Sequence, residues 1–260
     1  MSIELKSSIA YGAPMIDPHE TPSDPPMLEA PCEIEDDDDE NLNDLPTLAD
    51  LKFALMRMWG RVEEMIAAAV DAIAEQSTER ARQVIDRDRV VDEEELYIDA
   101  LCLRLLAAQQ SESDIRFITA SLQMATDLER MADLAVDIAH RGAQLIDRPM
   151  REPLARIDRM AAIARRMLRN VLQALVCSDA EQARSIRDDE NEADRLRDET
   201  EADIKRMLKA DPDLVDVGVS LFVISRCLER ICDHATNLAE DVMFVVDGRV
   251  ARHSPWMVEN

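Results

Sequence analysis

From Leu48 onward, the apolar positions Leu48, Leu51, Leu55, Met58, Val62, Met65, Ala69 and Ile73 recur at steps of three or four. That spacing lays a single stripe along an α-helix. Thr47-x-x-Asp50 precedes it as a capping box, so a first helix is predicted from there to about Gln76. Val84, Val91, Leu101 and Leu105 mark a second helix, capped by Ser77 or Thr78 and ending near Gln110. Ser111-x-x-Asp114 opens a third that runs to about Ile146, and Arg148-Pro149 with Glu152-Pro153 then breaks the chain. Ile157, Met160, Ile163, Met167, Val171 and Leu175 predict a fourth helix, and Ser178-x-x-Glu181 the opening of a fifth. The sixth begins at Asp211-Pro212, with proline at the first helical position, and stops near Gly248. Six long helices with short connections predict an all-α fold, a tandem repeat of two antiparallel three-helix bundles over 47–148 and 149–248, followed by a tail at 249–260.

The tandem arrangement is written into the polar positions as well. Leu128-Glu129-Arg130-x-x-Asp133-x-Ala135-x-x-x-Ala139 returns as Leu228-Glu229-Arg230-x-x-Asp233-x-Ala235-x-x-x-Ala239, offset by 100 residues at every matched position. Four residues advance a helix about 40° around its axis, so Glu129, Asp133 and Asp137 form one acidic stripe and Glu229 with Asp233 its counterpart. A seven-residue seam counted through Ile115, Ile118, Leu122 and Ala125 puts Glu129 at a core position, and the second copy does the same for Glu229. The second and fifth helices carry matching pairs, Asp88-x-x-x-Asp92 and Glu190-x-x-x-Asp194, offset by 102 residues.

Two facing antiparallel helices can gather four such carboxylates into an oxygen-rich pocket, where they repel and raise one another's pKa. A hard or borderline divalent or trivalent cation relieves that repulsion. Magnesium, manganese and iron fit best, and zinc is also compatible. A solvated acidic face, partly neutralised by Arg130 and Arg230, accounts for the same residues without metal.

Composition narrows the function classes. Aromatic residues are 3% of the chain and glycines number five, against 47% hydrophobic residues, in keeping with an all-helical protein. A net charge of −25 argues against a nucleic-acid backbone or an anionic membrane surface as partner. Five cysteines without a CxxC pair, four of them in apolar helical patterns, suit a reducing compartment. With neither a membrane span nor a secretory signal in the pattern, the expected location is the cytoplasm. Residues 1–46 hold seven of the eleven prolines and 13 acidic residues against one basic, Lys6. Such a segment cannot bury enough apolar surface to order itself, so a disordered acidic arm is expected.

Taken together, Asp99–Ala107, Asp114-Ile115-Arg116-Phe117 and Asp127-Leu128-Glu129-Arg130 with Asp133 resemble the first repeat of the PhoU family. Leu228–Glu240, ending at Val245-Val246-Asp247-Gly248, resembles its second. The resemblance covers about Thr47 to Gly248. It implies a non-enzymatic negative regulator of phosphate uptake and phosphate-starvation signalling, cytoplasmic and homodimeric, that contacts a phosphate transporter ATPase and a sensor histidine kinase. It further implies metal at paired E(D)xxxD motifs: Asp88 with Asp92, Glu129 with Asp133, Glu190 with Asp194, and Glu229 with Asp233, with Asp137 and Asn237 one turn further on. Ala132 and Cys232 stand where the family usually has glycine, and the acidic arm is outside the family pattern.

Two other readings stay open, a metal-storage bundle and a metal-free interaction scaffold. Ferritin-like di-iron chemistry is disfavoured because no Glu-x-x-His occurs, only Asp137-x-x-His140. No Walker loop, glycine-rich phosphate cradle or Ser-His-Asp constellation is visible in the sequence.

Overall fold

The computed structural model describes residues 46–108, 110–145 and 152–248. The acidic arm short of Pro46, the Arg148-Pro149 break and the tail lie outside the described residues. Among the described residues seven α-helices follow in order: α1 (Leu48–Ala74), α2 (Thr78–Ala107), α3 (Glu112–Ala143), α4 (Glu152–Cys177), α5 (Ala180–Arg184), α6 (Arg187–Ala210) and α7 (Val215–Asp247). Six are long, and no strand occurs among the described residues. The helices α1, α2 and α3 pack as one antiparallel bundle and α4, α6 and α7 as a second.

Local chemistry sets most of the helix ends. Thr47 and Asp50 form a reciprocal capping box at α1, and Ser111 and Asp114 form another at α3. Each satisfies two backbone N–H groups that a helix start leaves unpaired. Ser77 caps α2 by accepting from the Arg80 N–H. At the other end of the chain, α7 stops at Gly248 with φ +69°, a left-handed conformation that glycine adopts without a Cβ clash.

The second repeat departs from the expected single fifth helix. Ser178 takes φ +53° after α4, and Asp179, not Ser178, caps α5 by accepting from the Glu181 and Gln182 N–H groups at 3.0 Å each. The chain turns at Ser185 and Ile186 before α6 begins, with the Ile186 side chain buried. Burial of that one isoleucine at a turn is a tertiary effect, invisible to a helical-period count. At the next connection, Asp211 caps a 3-10 turn over Pro212–Leu214 and accepts from the Asp213 N–H, and α7 follows.

The two bundles share one hydrophobic core. Their main seam is α3 along α7, with α1 against α4 beside it. Polar bonds cross both contacts. The fully buried Trp59 on α1 donates its indole N–H to the Leu168 carbonyl on α4 at 3.2 Å. His234 Nδ1 on α7 lies 2.9 Å from Asp127 Oδ1 on α3, and Arg169 on α4 meets Glu63 on α1 at 2.7 Å. Within the first bundle, α3 crosses α1 so closely that a Cβ on Gly142 would stand 2.5 Å from Ile73 Cγ1.

A shared core makes the bundles unfold together, and the Trp59 anchor contributes to both. The change Trp59→Phe is expected to cost about 1–3 kcal/mol through the lost hydrogen bond and the space left behind. Urea unfolding followed by circular dichroism should show one transition in both proteins, with a lower midpoint in the variant. Two separated transitions would show that the bundles are independent.

Candidate functional site

Fifteen of the 32 residues of α3 are buried, because the helix packs against α1, α2 and α7. The acidic stripe lies on the less buried side of the helix. On the predicted seam, Ile118, Ala125, Ala132 and Ala139 are fully buried, whereas Leu122, Glu129 and Val136 are half-buried and Ile115 is exposed. Glu129 therefore sits at the margin of the core, not inside it. Asp133 and Asp137 are exposed. On α7 the corresponding Glu229 is buried, with 7% of its surface accessible, and Asp233 is exposed.

The structure brings the first set of sequence-predicted carboxylates within electrostatic reach of one another across the α2–α3 contact. Burial raises Glu129 to about 7, reinforced by Asp133, Glu95, Asp92 and Asp88. Asp88 is raised by burial and then by Asp92 and Asp133, and Asp133 by burial and then by Asp92 and Asp137. Asp137 acts on Asp133 from the next turn and also on the Cys227 thiol of α7, which burial chiefly raises to about 11. Glu95 joins this group without having been singled out. It is half-buried on α2, one turn beyond Asp92, and accepts from the Thr126 hydroxyl of α3 at 3.0 Å.

The second set meets across α6 and α7. Burial raises Glu190, followed by Asp233 and Asp194, while Arg187 and the Thr236 hydroxyl lower it. Burial likewise raises Asp233, with Glu229 and Asp194 adding to it and His234 and Arg197 opposing. Arg197 is the residue the sequence reading missed here. Its guanidinium bonds Glu229 across the helices and lies 3.2 Å from Asp194 on its own helix. Arg226 reaches Glu229 at 3.3 Å. The signal was available in the repeat, since the 102-residue offset that pairs Asp92 with Asp194 also pairs Glu95 with Arg197.

Of the two positions where the related pattern has glycine, Ala132 and Cys232 are both buried in close packing. Burial, with Asp233, Glu190 and Glu229 nearby, pushes the Cys232 thiol far up, so it packs as a neutral, apolar group. Elsewhere, buried Glu94 on α2 is held by Arg57 at 2.7 Å and Arg61 at 3.0 Å, both from α1. Its role is to tie two helices together.

Among the described residues, no three His, Cys, Asp or Glu side chains are positioned to hold a metal ion. The first set nevertheless fits one in its donor chemistry: oxygen donors of one charge, partly desolvated and mutually repelling, on two adjacent helices. The second set fits less well, because a guanidinium already lies against two of its four carboxylates.

The family model described as "PhoU domain" matches the chain twice, at residues 55–142 and 157–242. A protein of Pseudomonas putida named a phosphate-specific transport system accessory protein PhoU homolog is 32% identical over 208 residues, covering 79% of this chain and 81% of the relative. A relative of the same name in Deinococcus radiodurans is 30% identical over 204 residues, covering 77% and 96%. The crystal structure of PhoU from Pseudomonas aeruginosa superposes with a TM-score of 0.74 at 30% identity, covering 78% of this chain and 98% of that one.

The raised pKa of Glu129 carries a pH signature. Between the ordinary carboxyl range and about 7, the folded protein keeps a proton on Glu129 that the unfolded chain has released, so stability falls as pH rises through that window. In chelator, the melting temperature of the wild type should drop more between about pH 5 and about pH 8 than that of Glu129→Gln, which has no proton to lose. Parallel curves for the two proteins would rule out a raised Glu129.

Proposed function

Because the chain belongs to the PhoU family, we propose that it is a non-enzymatic regulator that restrains phosphate uptake and phosphate-starvation signalling through protein contacts. The observation that carries this is the double match of the family model, one copy on each bundle. Support comes from relatives named as accessory proteins of a phosphate-specific transport system. The partners proposed are the transporter's ATPase and a sensor histidine kinase, met in the cytoplasm by a homodimer. No helix among the described residues is long and apolar enough to cross a membrane, so work at a transporter would be done by docking. Phe53, Leu96 and Leu103, exposed by 67%, 67% and 66%, provide apolar contact surface on α1 and α2.

The metal proposal belongs to the first repeat. Asp88, Asp92, Glu129 and Asp133 would hold a divalent or trivalent cation, with Glu95 beside them and Asp137 one turn further on. Such an ion supplies the counter-charge the site lacks. The carboxylates themselves do the mechanical work, since those on α2 and those on α3 are drawn together and the outer face of the bundle is set. A metal-free scaffold and a storage protein are the alternatives. The first predicts no metal dependence of folding or partner binding, the second many ions per chain.

Deleting the gene in its native host should raise alkaline phosphatase activity in phosphate-rich medium. Activity that stays low would oppose a restraining role. For the metal, the paired change Glu129→Ala with Asp133→Ala is expected to remove most manganese bound by the purified, reloaded protein, as read by elemental analysis. Unchanged metal content would place the ion elsewhere. Light scattering on the purified chain tests the dimer, which a monomer mass would contradict.

A further inference from the structure

The two acidic sites occupy equivalent places in the two bundles, yet their surroundings have opposite charge. On the second helix of each repeat, Asp88 and Asp92 correspond to Glu190 and Asp194, and one turn on Glu95 corresponds to Arg197. On the third helix, Glu129 and Asp133 correspond to Glu229 and Asp233, and Thr126 corresponds to Arg226. In the first repeat these two extra positions form a hydroxyl-to-carboxylate bond, Thr126 to Glu95 at 3.0 Å. In the second they are both guanidiniums, and both reach the same oxygen, Glu229 Oε1.

The consequences for a cation are opposite. Among the described residues, none of Asp88, Asp92, Glu95, Glu129 and Asp133 meets an arginine or lysine in an ion pair. In the second repeat Arg197 is largely buried, 18% exposed in its side chain, and touches Glu229, Asp194 and Asp198. A guanidinium cannot shed its charge to make way for a metal, and at this burial its repulsion of a second cation is poorly screened. Glu229 Oε2 is buried without a hydrogen-bond partner. Its carboxylate is already neutralised through Oε1, so a neutral donor such as water is enough to satisfy it.

We infer that the two sites have diverged: in the second repeat Arg197 is a built-in counter-ion that takes the place of a metal, so metal acts on the first repeat alone. This rests on the metal reading for the first repeat. Arg197 on α6 ties to Glu229 on α7 as a metal would tie α2 to α3, but it does so permanently. The α6–α7 contact then carries its counter-charge whether or not metal is present, and only the first repeat responds to metal supply.

The test uses the full chain, stripped with chelator and titrated with Mn²⁺ while free ion is followed by electron paramagnetic resonance. Asp88→Asn with Glu129→Gln should lose most bound Mn²⁺, whereas Glu190→Gln with Asp233→Asn should bind as the wild type does. Arg197→Glu, which copies the first repeat's Glu95, should add Mn²⁺ that Glu190→Gln with Asp233→Asn then removes. Wild-type binding that falls when the second set is neutralised, or no gain in Arg197→Glu when the wild type does bind, overturns the inference. A wild type that binds no Mn²⁺ sinks the metal reading instead, and the counter-ion role is then decided by metal-free melts. There Arg197→Gln should melt lower than the wild type, and adding Glu229→Gln should recover part of the loss. An Arg197→Gln protein that melts like the wild type overturns it.

Discussion

The packing of α3 along α7 governs the rest of the molecule. Each of these helices belongs to its own bundle and also faces the other, so each is buried over much of its circumference. Such helices need small or flexible apolar side chains on several faces, and Ala132, Ala135, Ala139, Cys232, Ala235 and Ala239 supply them. An unpaired charge on those faces would cost several kcal/mol or neutralise itself, so the charged groups buried there are partnered, Asp127 by His234 and Glu229 by Arg197 and Arg226. Most of the repeated acidic positions lie instead on the less buried side, at the edge facing α2 or α6, with Glu129 half-buried and Asp133, Asp137 and Asp233 exposed. The position of the candidate site follows from the crowding around α3 and α7.

At that edge the same backbone plan has two electrostatic solutions. Around Glu129 burial raises the pKa, and repulsion from the neighbouring Asp133, Glu95, Asp92 and Asp88 adds to it. Around Glu229 the neighbours include Arg197 and Arg226, and the charge is met from within. The two repeats thus differ in charge at equivalent places, although their long helices follow in the same order and their acidic pairs keep the same spacing. The buried pairs at other levels, Glu94 with Arg57 and Arg61 and Asp203 with Arg156 and Arg206, follow the second solution. Each sets two guanidiniums against one buried carboxylate; Arg57 and Arg61 join α1 to α2 and Arg156 joins α4 to α6, while Arg206 reaches Asp203 within α6.

Much of this was legible from residue order. The steps of three and four in α1 and α4, the boxes at Thr47-Asp50 and Ser111-Asp114, and the glycine stop at Gly248 are local rules, and the structure follows them. The repeat of Leu-Glu-Arg-x-x-Asp and the matching pairs Asp88/Asp92 and Glu190/Asp194 placed four acidic pairs on four particular helices. The reading failed at Ser178, where Asp179 proved the better cap, and at Ser185-Ile186, where a turn with a buried isoleucine separates α5 from α6. It also put Glu129 and Glu229 at equal depth, because a heptad count assumes one partner per seam and α3 has several.

The sequence by itself determined the all-helical class, the two-by-three order, the family and the identity of the paired carboxylates. Each of these rests on periodicity or on residues four apart along one helix, and a helix converts sequence distance directly into position. The tertiary structure alone decided that the bundles share a core through α3 and α7, that Glu129 is half-buried while Glu229 is buried, and that Arg197 stands against Glu229. Those are relations between residues 32 or more apart in the chain, where no local period operates. There the outcome depends on which surfaces the helices cover when they pack, and on the charge each brings to the contact.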